Sequence, residues 1–212
     1  MAKESRNISI DIPKVTLAGI LNLVENPLGL VVFAHGAGSS RLSPRNTLVA
    51  NYLNDCGFAT LLFDLLTEKE DQIYENRFDI GLITSRLIET TKWLRNYEET
   101  KKLKLGYFGA STGAAAALRA SINFPEEVRA IVSRGGRPDL VLANLRKVQT
   151  PTLLIVGGLD DVVISLNEQA YQALEGIKKM VIIPGATHLF EEPGKLEMVT
   201  EAAAKWFQEY LK

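Results

Sequence analysis

The segment Lys104–Gly113, KLGYFGASTG, decides the fold together with the alanine-rich stretch 114–117 that follows it. A strand-length apolar run leads into the pattern G-x-S-x-G, and a helical pattern begins directly after the serine. Glycine is needed two residues before and two residues after Ser111, because a Cβ at either position of so tight a turn would strike the neighbouring strand or helix. This order of strand, turn and helix predicts a nucleophilic Ser111 at a helix N-terminus, where negative charge is favoured. The alternative is a serine N-cap between glycines that have no role.

Outside this segment, short apolar runs alternate with longer amphipathic segments. Alternation with period two predicts an antiparallel strand pair at 7–12 and 15–24. Nearly continuous apolar runs predict strands that are buried on both faces at 30–34, 59–63, 103–108, 128–133, 152–156 and 180–183. Apolar residues at three- and four-residue steps predict helices at about 45–56, 78–97, 112–123, 165–175 and 195–211. We therefore expect an α/β fold with a mostly parallel, doubly wound sheet and an antiparallel N-terminal hairpin.

Composition excludes several classes of protein. The 212 residues carry no repeat or linker and are enough for one domain with a large core, so we expect a single domain over residues 1–212. Lys and Arg (24) nearly cancel Asp and Glu (25), and this balance gives no support for a nucleic-acid or membrane partner held by bulk charge. No apolar run approaches the roughly 20 residues of a membrane helix. The N-terminus lacks the apolar stretch of a signal peptide, so we expect a cytoplasmic protein.

The sequence gives no sign of a cofactor or a metal site. Cys56 is the single cysteine, which excludes a disulfide framework and a cysteine-rich zinc site. There is no phosphate-cradling GxxxxGK[ST] pattern and no local array of metal ligands. We therefore expect a reaction carried out by side chains alone on a small-molecule substrate.

A serine nucleophile needs a base and an acid that orients the base. The sequence contains two histidines: His188 lies in a loop after a late strand, and His35 follows an early strand. Its late loop position favours His188 as the base, and we expect His35 to be structural, hydrogen-bonded beneath its loop. Asp160, directly after the strand 152–156, is the predicted acid, with Asp161 as the fallback. The alternative for Asp160 is an aspartate that caps a turn.

Two backbone N–H groups are predicted to stabilise the oxyanion of an acyl-transfer reaction. The N–H of Thr112 is one of them by position, because it follows the nucleophile. The second is expected from the glycine-rich loop 35–38, HGAG, where we assign Ala37 and keep Gly36 as the alternative.

The motifs HGAG, GASTG, GGLDD and ATH, spread over nearly the full chain, resemble the α/β-hydrolase superfamily and within it the dienelactone-hydrolase-like group of small esterases. The order Ser111, Asp160, His188 agrees with that superfamily. The dienelactone hydrolases that gave the group its name use a cysteine nucleophile, and the serine here argues against transferring their substrate. The resemblance implies hydrolysis of a small carboxylic ester or thioester through an acyl-enzyme. The alternatives are a non-catalytic binding or signalling protein on the same scaffold, and a peptidase or acyltransferase with the same triad.

The expected site is open and flanked by arginines. Larger α/β hydrolases insert a helical cap where this chain has only the short segment 137–150, so we expect no large cap domain. Arg134, with help from Arg41, is the candidate to bind an acidic group of the substrate, because a guanidinium pairs well with carboxylate. The alternative is that these arginines are solvated or paired with acids of the protein. Asp64 is expected to anchor a loop, and 67–72 to form a charged, solvated loop.

Overall fold

Eight strands form one sheet in the computed structural model, which describes residues 3–211 of the chain. The strands are β1 (Lys3–Ile12), β2 (Val15–Val24), β3 (Leu30–Ala34), β4 (Ala59–Phe63), β5 (Leu105–Ala110), β6 (Val128–Arg134), β7 (Thr152–Gly157) and β8 (Lys178–Ile183). The α-helices are α1 (Pro44–Asp55), α2 (Glu68–Asp71), α3 (Ile80–Leu94), α4 (Thr112–Ser121), α5 (Asp161–Ala173) and α6 (Lys195–Tyr210). Two 3-10 helices cover Tyr74–Phe78 and Pro138–Lys147.

The sheet is parallel apart from its N-terminal hairpin. Its strand order is β1-β2-β4-β3-β5-β6-β7-β8. Strand β2 pairs antiparallel with both β1 and β4, whereas every pairing from β4 to β8 is parallel. The predicted fold class, a mostly parallel sheet with an antiparallel hairpin, is therefore confirmed. Because the carboxyl ends of the parallel strands meet at one edge, the loops after β3, β5, β6, β7 and β8 share that edge.

Helices cover both faces of the sheet, and each face has its own apolar core. Helices α3, α4 and α5 pack on one face, together with Leu61, Tyr107 and Leu154 of the strands. Helices α1 and α6 pack on the other face, together with Phe33 and Phe108. Strands β3, β4 and β5 are buried along their whole length, as their unbroken apolar runs predict.

Three segments differ from the sequence-based expectation or refine it. Helix α5 begins at Asp161, about one turn before the predicted start. The charged segment 67–72 contains the short helix α2, because Thr67 and Glu70 form a reciprocal capping box. Residues 138–147 form a compact 3-10 segment, so no large cap follows β6.

The turn between β5 and α4 is the tightest junction of the fold. Ser111 has φ 50° and ψ −119°, a conformation that costs a non-glycine residue free energy. A Cβ on Gly109 would lie 2.4 Å from the Cα of Ala114. A Cβ on Gly113 would lie 2.2 Å from the carbonyl oxygen of Ala34 and 2.4 Å from that of His35. Both glycines are therefore required by the close approach of backbone to backbone, and not by a special φ of their own.

Substitution of Gly113 by alanine tests this junction. We expect Gly113→Ala to lower the free energy of unfolding by at least about 3 kcal/mol, because backbone carbonyls cannot move aside as a side chain can. Gly81→Ala in α3 is the matched control, because its added Cβ meets only the end of the Asp79 side chain, at 3.1 Å. Urea unfolding followed by circular dichroism measures both variants. A Gly113→Ala protein as stable as the control would contradict this account of the turn.

Candidate active site

The end of β6 holds the strained turn at Ser111 in place. The Ser111 N–H donates to the carbonyl oxygen of Arg134 at 3.2 Å, and the N–H of Arg137 donates to the carbonyl oxygen of Ser111 at 3.1 Å. These two backbone hydrogen bonds fix the serine from both sides. The turn therefore presents Ser111 at the carboxyl edge of the sheet, at the first turn of α4.

Asp160 and His188 are in direct contact. Nδ1 of His188 lies 2.6 Å from Oδ2 of Asp160. A carboxylate only accepts hydrogen bonds, so Nδ1 carries the proton and Nε2 is the ring nitrogen left to accept one. Asp160 occupies the N-cap position of α5, yet its side chain does not cap the helix. The alternative reading of Asp160 as a capping aspartate is therefore not what the structure has, and its carboxylate orients the imidazole instead.

The turn after β6 links Ser111 to His188. Gly135, which follows Arg134, has φ 51°, and a Cβ there would lie 3.4 Å from Cε1 of His188 and 3.1 Å from its carbonyl oxygen. Only a glycine lets the backbone pass this close to the imidazole. Within residues 3–211 the structure brings His188 onto Asp160, but it has no hydrogen bond between His188 and the Ser111 hydroxyl. Hydrogen bonds of this kind are often long before substrate binds.

The predicted oxyanion donors lie side by side, but one of them already has a partner. The Ala37 N–H donates to Oγ1 of Thr112 at 2.9 Å. Thr112 is the first residue of α4, so its own N–H has no partner within the helix. The alternative donor Gly36 passes closer to the nucleophile, since a Cβ on it would lie 3.1 Å from the Cβ of Ser111.

The Ala37 N–H therefore already has an acceptor, whereas the sequence analysis expected this N–H to be available as a donor. The reason is the Thr112 side chain, which sequence reasoning missed although a hydroxyl directly after the nucleophile was visible. The Thr112 hydroxyl accepts the N–H that the sequence analysis assigned to an oxyanion.

His35 braces the glycine-rich loop 35–38, the candidate oxyanion loop, from beneath, as expected. Its Nε2 accepts the N–H of Leu65 at 3.1 Å, and its Nδ1 donates to the carbonyl oxygen of Gly36 at 2.9 Å. Both bonds require the neutral ring with its proton on Nδ1. Burial lowers the pKa of His35, although the Gly36 carbonyl and the charges of Asp64 and Asp71 oppose this shift.

A small cavity opens beside the oxyanion loop. It has an empty volume of about 220 Å³. Gly36, Ala37, Gly38 and Thr112 line one side, and the remaining wall is formed by His35, Leu65, Leu66, Asp71, Arg77 and Ile83. The leucines and the isoleucine make this wall largely apolar.

The two arginines predicted to bind an acidic group have separate partners. The guanidinium and the backbone N–H of Arg41 both bind the carboxylate of Asp64, which anchors that loop as expected. Arg134 is 5% exposed, and its side chain contacts Asn46 and the Phe190 ring. The structure therefore does not join Arg41 and Arg134 in one binding site.

No group of three or more His, Cys, Asp or Glu side chains could hold a metal ion within residues 3–211. The helices of that range are all too short or too polar to cross a membrane.

The lowered pKa of His35 predicts a pH dependence of stability. The unfolded chain takes up a proton at a pKa near 6.5, above that of the folded protein. The stability from neutral His35 is therefore complete above about pH 6.5 and is lost as the pH falls toward the lower folded value. We expect the free energy of unfolding to fall less steeply between pH 7 and pH 5 in His35→Gln than in the unmodified protein, as measured by urea titration. Parallel slopes would contradict this role.

Comparison with known proteins gives a consistent family. The model of the dienelactone hydrolase family matches residues 17–212. The crystal structure of a dienelactone hydrolase from Anabaena variabilis is 51% identical and superposes with a TM-score of 0.96, covering 99% of each chain. Est1E from Butyrivibrio proteoclasticus is 17% identical with a TM-score of 0.82, covering 96% of this chain and 98% of its own, and supports the α/β-hydrolase fold alone.

One relative carries a different name. A Mycobacterium tuberculosis protein described as a putative phosphoribosyl transferase is 55% identical over 197 residues. The match covers 93% of this chain but 44% of that protein, so this chain spans less than half of its relative.

Proposed function

This chain belongs to the dienelactone hydrolase family, and we propose that it hydrolyses a small carboxylic ester or thioester through an acyl-enzyme on Ser111. The observation that carries the proposal is the contact of 2.6 Å between His188 and Asp160. In this contact the carboxylate at the N-cap position of α5 orients an imidazole instead of capping the helix. The contact lies at the edge of the sheet where Ser111 is presented. A helix cap is worth about 1 kcal/mol, so a purely structural aspartate would be expected to cap α5.

In the proposed reaction the Ser111 hydroxyl attacks the acyl carbonyl carbon. Nε2 of His188 takes the hydroxyl proton and returns it to the leaving alcohol or thiol as the tetrahedral intermediate collapses. Asp160 holds the proton on Nδ1 and stabilises the imidazolium. Water then attacks the acyl-enzyme, giving its proton to His188 and releasing the acid and free Ser111. Substrate entry is expected to draw the serine and the imidazole within hydrogen-bond reach.

Ala37 and Thr112 are proposed to stabilise the oxyanion through their N–H groups. The hydroxyl of Thr112 stands in for the oxyanion in the resting protein, since it accepts the Ala37 N–H. An anionic oxygen is a stronger acceptor than a neutral hydroxyl, so the oxyanion displaces it when charge develops. Rotation of the Thr112 side chain about its first torsion angle completes this exchange.

The size of the substrate is inferred from the cavity beside Ala37. The cavity has an apolar wall and little enclosed room, and no large cap follows β6, so the site stays open and favours a small, flexible acyl substrate. The name of the mycobacterial relative describes a protein more than twice as long as the matched part, so we do not transfer that activity. A non-catalytic scaffold, a peptidase and an acyltransferase remain the alternatives to ester hydrolysis.

Substitution of the two adjacent aspartates after β7, Asp160 and Asp161, tests whether Asp160 acts in the proposed mechanism or has only a structural role. We expect Asp160→Asn to lower kcat on a nitrophenyl ester by on the order of 10³- to 10⁴-fold, because the amide no longer holds the productive tautomer of His188. Asp161→Asn is the matched control and should keep the native rate, since Asp161 is exposed at the start of α5. Ser111→Ala should abolish the burst of nitrophenol. Equal rates in the two aspartate variants, or activity surviving in Ser111→Ala, would refute the proposal.

The prediction that Arg134, with help from Arg41, binds an acidic group of the substrate has no support from the geometry and is not part of the proposed function. Arg134 is 5% exposed, and Arg41 pairs with Asp64.

A further inference from the structure

Among residues 3–211, Arg134 is a buried cation without an acidic partner. The residue is 5% exposed, and its Nε has no hydrogen-bond partner in that range. Its one side-chain hydrogen bond there runs from Nη2 to Oδ1 of Asn46 at 3.4 Å, which is long, and its guanidinium carbon lies 5.9 Å from the centre of the Phe190 ring. Neither contact brings a negative charge to the guanidinium.

Arg45 adds a second positive charge beside the first. Burial and the charge of Arg45 lower the pKa of Arg134 to about 10, so Arg134 is protonated at neutral pH. Arg45 gives one Nη to Glu191, which is exposed, but its Nε is buried without a partner. Two like charges therefore lie close together, and each has a buried N–H that no protein acceptor satisfies.

The first turn of α1 makes the same place still more positive. Arg45 and Asn46 are the second and third residues of α1, and the turn contains no acidic side chain. Ser43 caps only the N–H of Asn46. The N-terminal end of a helix carries a partial positive charge, so here it adds to the two guanidinium groups instead of offsetting them.

An arrangement of this kind is unfavourable without a counter-charge. Burying an unpaired charge is unfavourable, and an unsatisfied buried N–H adds to that cost. We propose that Arg134, Arg45 and the first turn of α1 bind one small monovalent anion of the size of chloride. The anion supplies the charge that the protein lacks at this place. The two guanidinium groups move apart to admit it, because their Nε atoms are enclosed by protein atoms here.

The site lies beneath the loop that carries the proposed base. Phe190, whose ring packs on the guanidinium of Arg134, is two residues after His188 and has φ 57°. Thr187, directly before the histidine, donates its N–H and hydroxyl to Glu192. The anion therefore holds Arg134 in the position that supports Phe190, and through it the loop 187–192.

Thermal unfolding without substrate tests the anion site independently of the proposed function. The full chain is titrated with potassium chloride, with potassium methanesulfonate keeping the ionic strength constant. We expect a saturable rise in Tm of about 3 °C at ten times the half-saturating chloride concentration. Arg134→Met should lose this rise. Arg129→Met, on the same strand with an exposed side chain, is the matched control and should keep it. A chloride response equal in Arg134→Met and the control would overturn the proposal.

A second variant keeps the test decisive if Arg134→Met does not fold. Asn46→Asp turns the acceptor of the Arg134 side-chain hydrogen bond into a carboxylate, so the protein supplies its own counter-charge. We expect this variant to have a higher Tm than the unmodified protein in chloride-free buffer and no chloride response. An unchanged Tm with a full chloride response would overturn the site.

Crystallography and kinetics distinguish a free ion from the carboxylate of the substrate as the source of the anion. Bromide soaked into crystals should give an anomalous peak between Arg45 and Arg134, and the absence of a peak there at saturating bromide would contradict the proposal. Chloride should change KM for a carboxylate-bearing ester and for its neutral analogue by the same factor. A rise confined to the acidic ester would assign the site to the carboxylate of the substrate and overturn its assignment to a free ion.

Discussion

The strained backbone of Ser111 is the constraint on which the rest of the site depends. Its φ of 50° is tolerated because the end of β6 binds the N–H and the carbonyl oxygen of the serine. The glycines at 109 and 113 let the turn and α4 lie directly against the backbone of β3 and β5. If these contacts failed, the turn would lose the backbone conformation that presents the hydroxyl at the carboxyl edge of the sheet.

Polar contacts hold the loops around this turn, and each of them lowers the local stability of the fold. Asp160 leaves the N-terminus of α5 uncapped to bind His188. His35 stays neutral in a buried position to hold the oxyanion loop. Arg134 is buried at the end of β6, beside the turn, without an acid. Polar groups that lower local stability in this way cluster at functional sites, and here they lie around the carboxyl edge of the sheet.

The sequence predicted the parts of the molecule that depend on local pattern. The strand–turn–helix around Ser111, the succession of strands and helices along the chain and the contact of Asp160 with His188 all follow from motifs and their order along the chain. The bond from Ala37 to the Thr112 hydroxyl could not be read in this way, because it joins residues 75 positions apart and depends on the path of a loop. The burial of Arg134 was missed for the same reason, since strand-end residues look exposed in a sequence.

Covalent labelling of the full chain with a fluorophosphonate, mapped by mass spectrometry, tests the central claim most directly. The strained turn and the Asp160–His188 pair together predict one adduct per chain, on Ser111, whose formation slows by orders of magnitude when His188 is replaced by glutamine. An adduct on a different residue, or labelling of Ser111 at the same rate in the His188→Gln protein, would contradict the account.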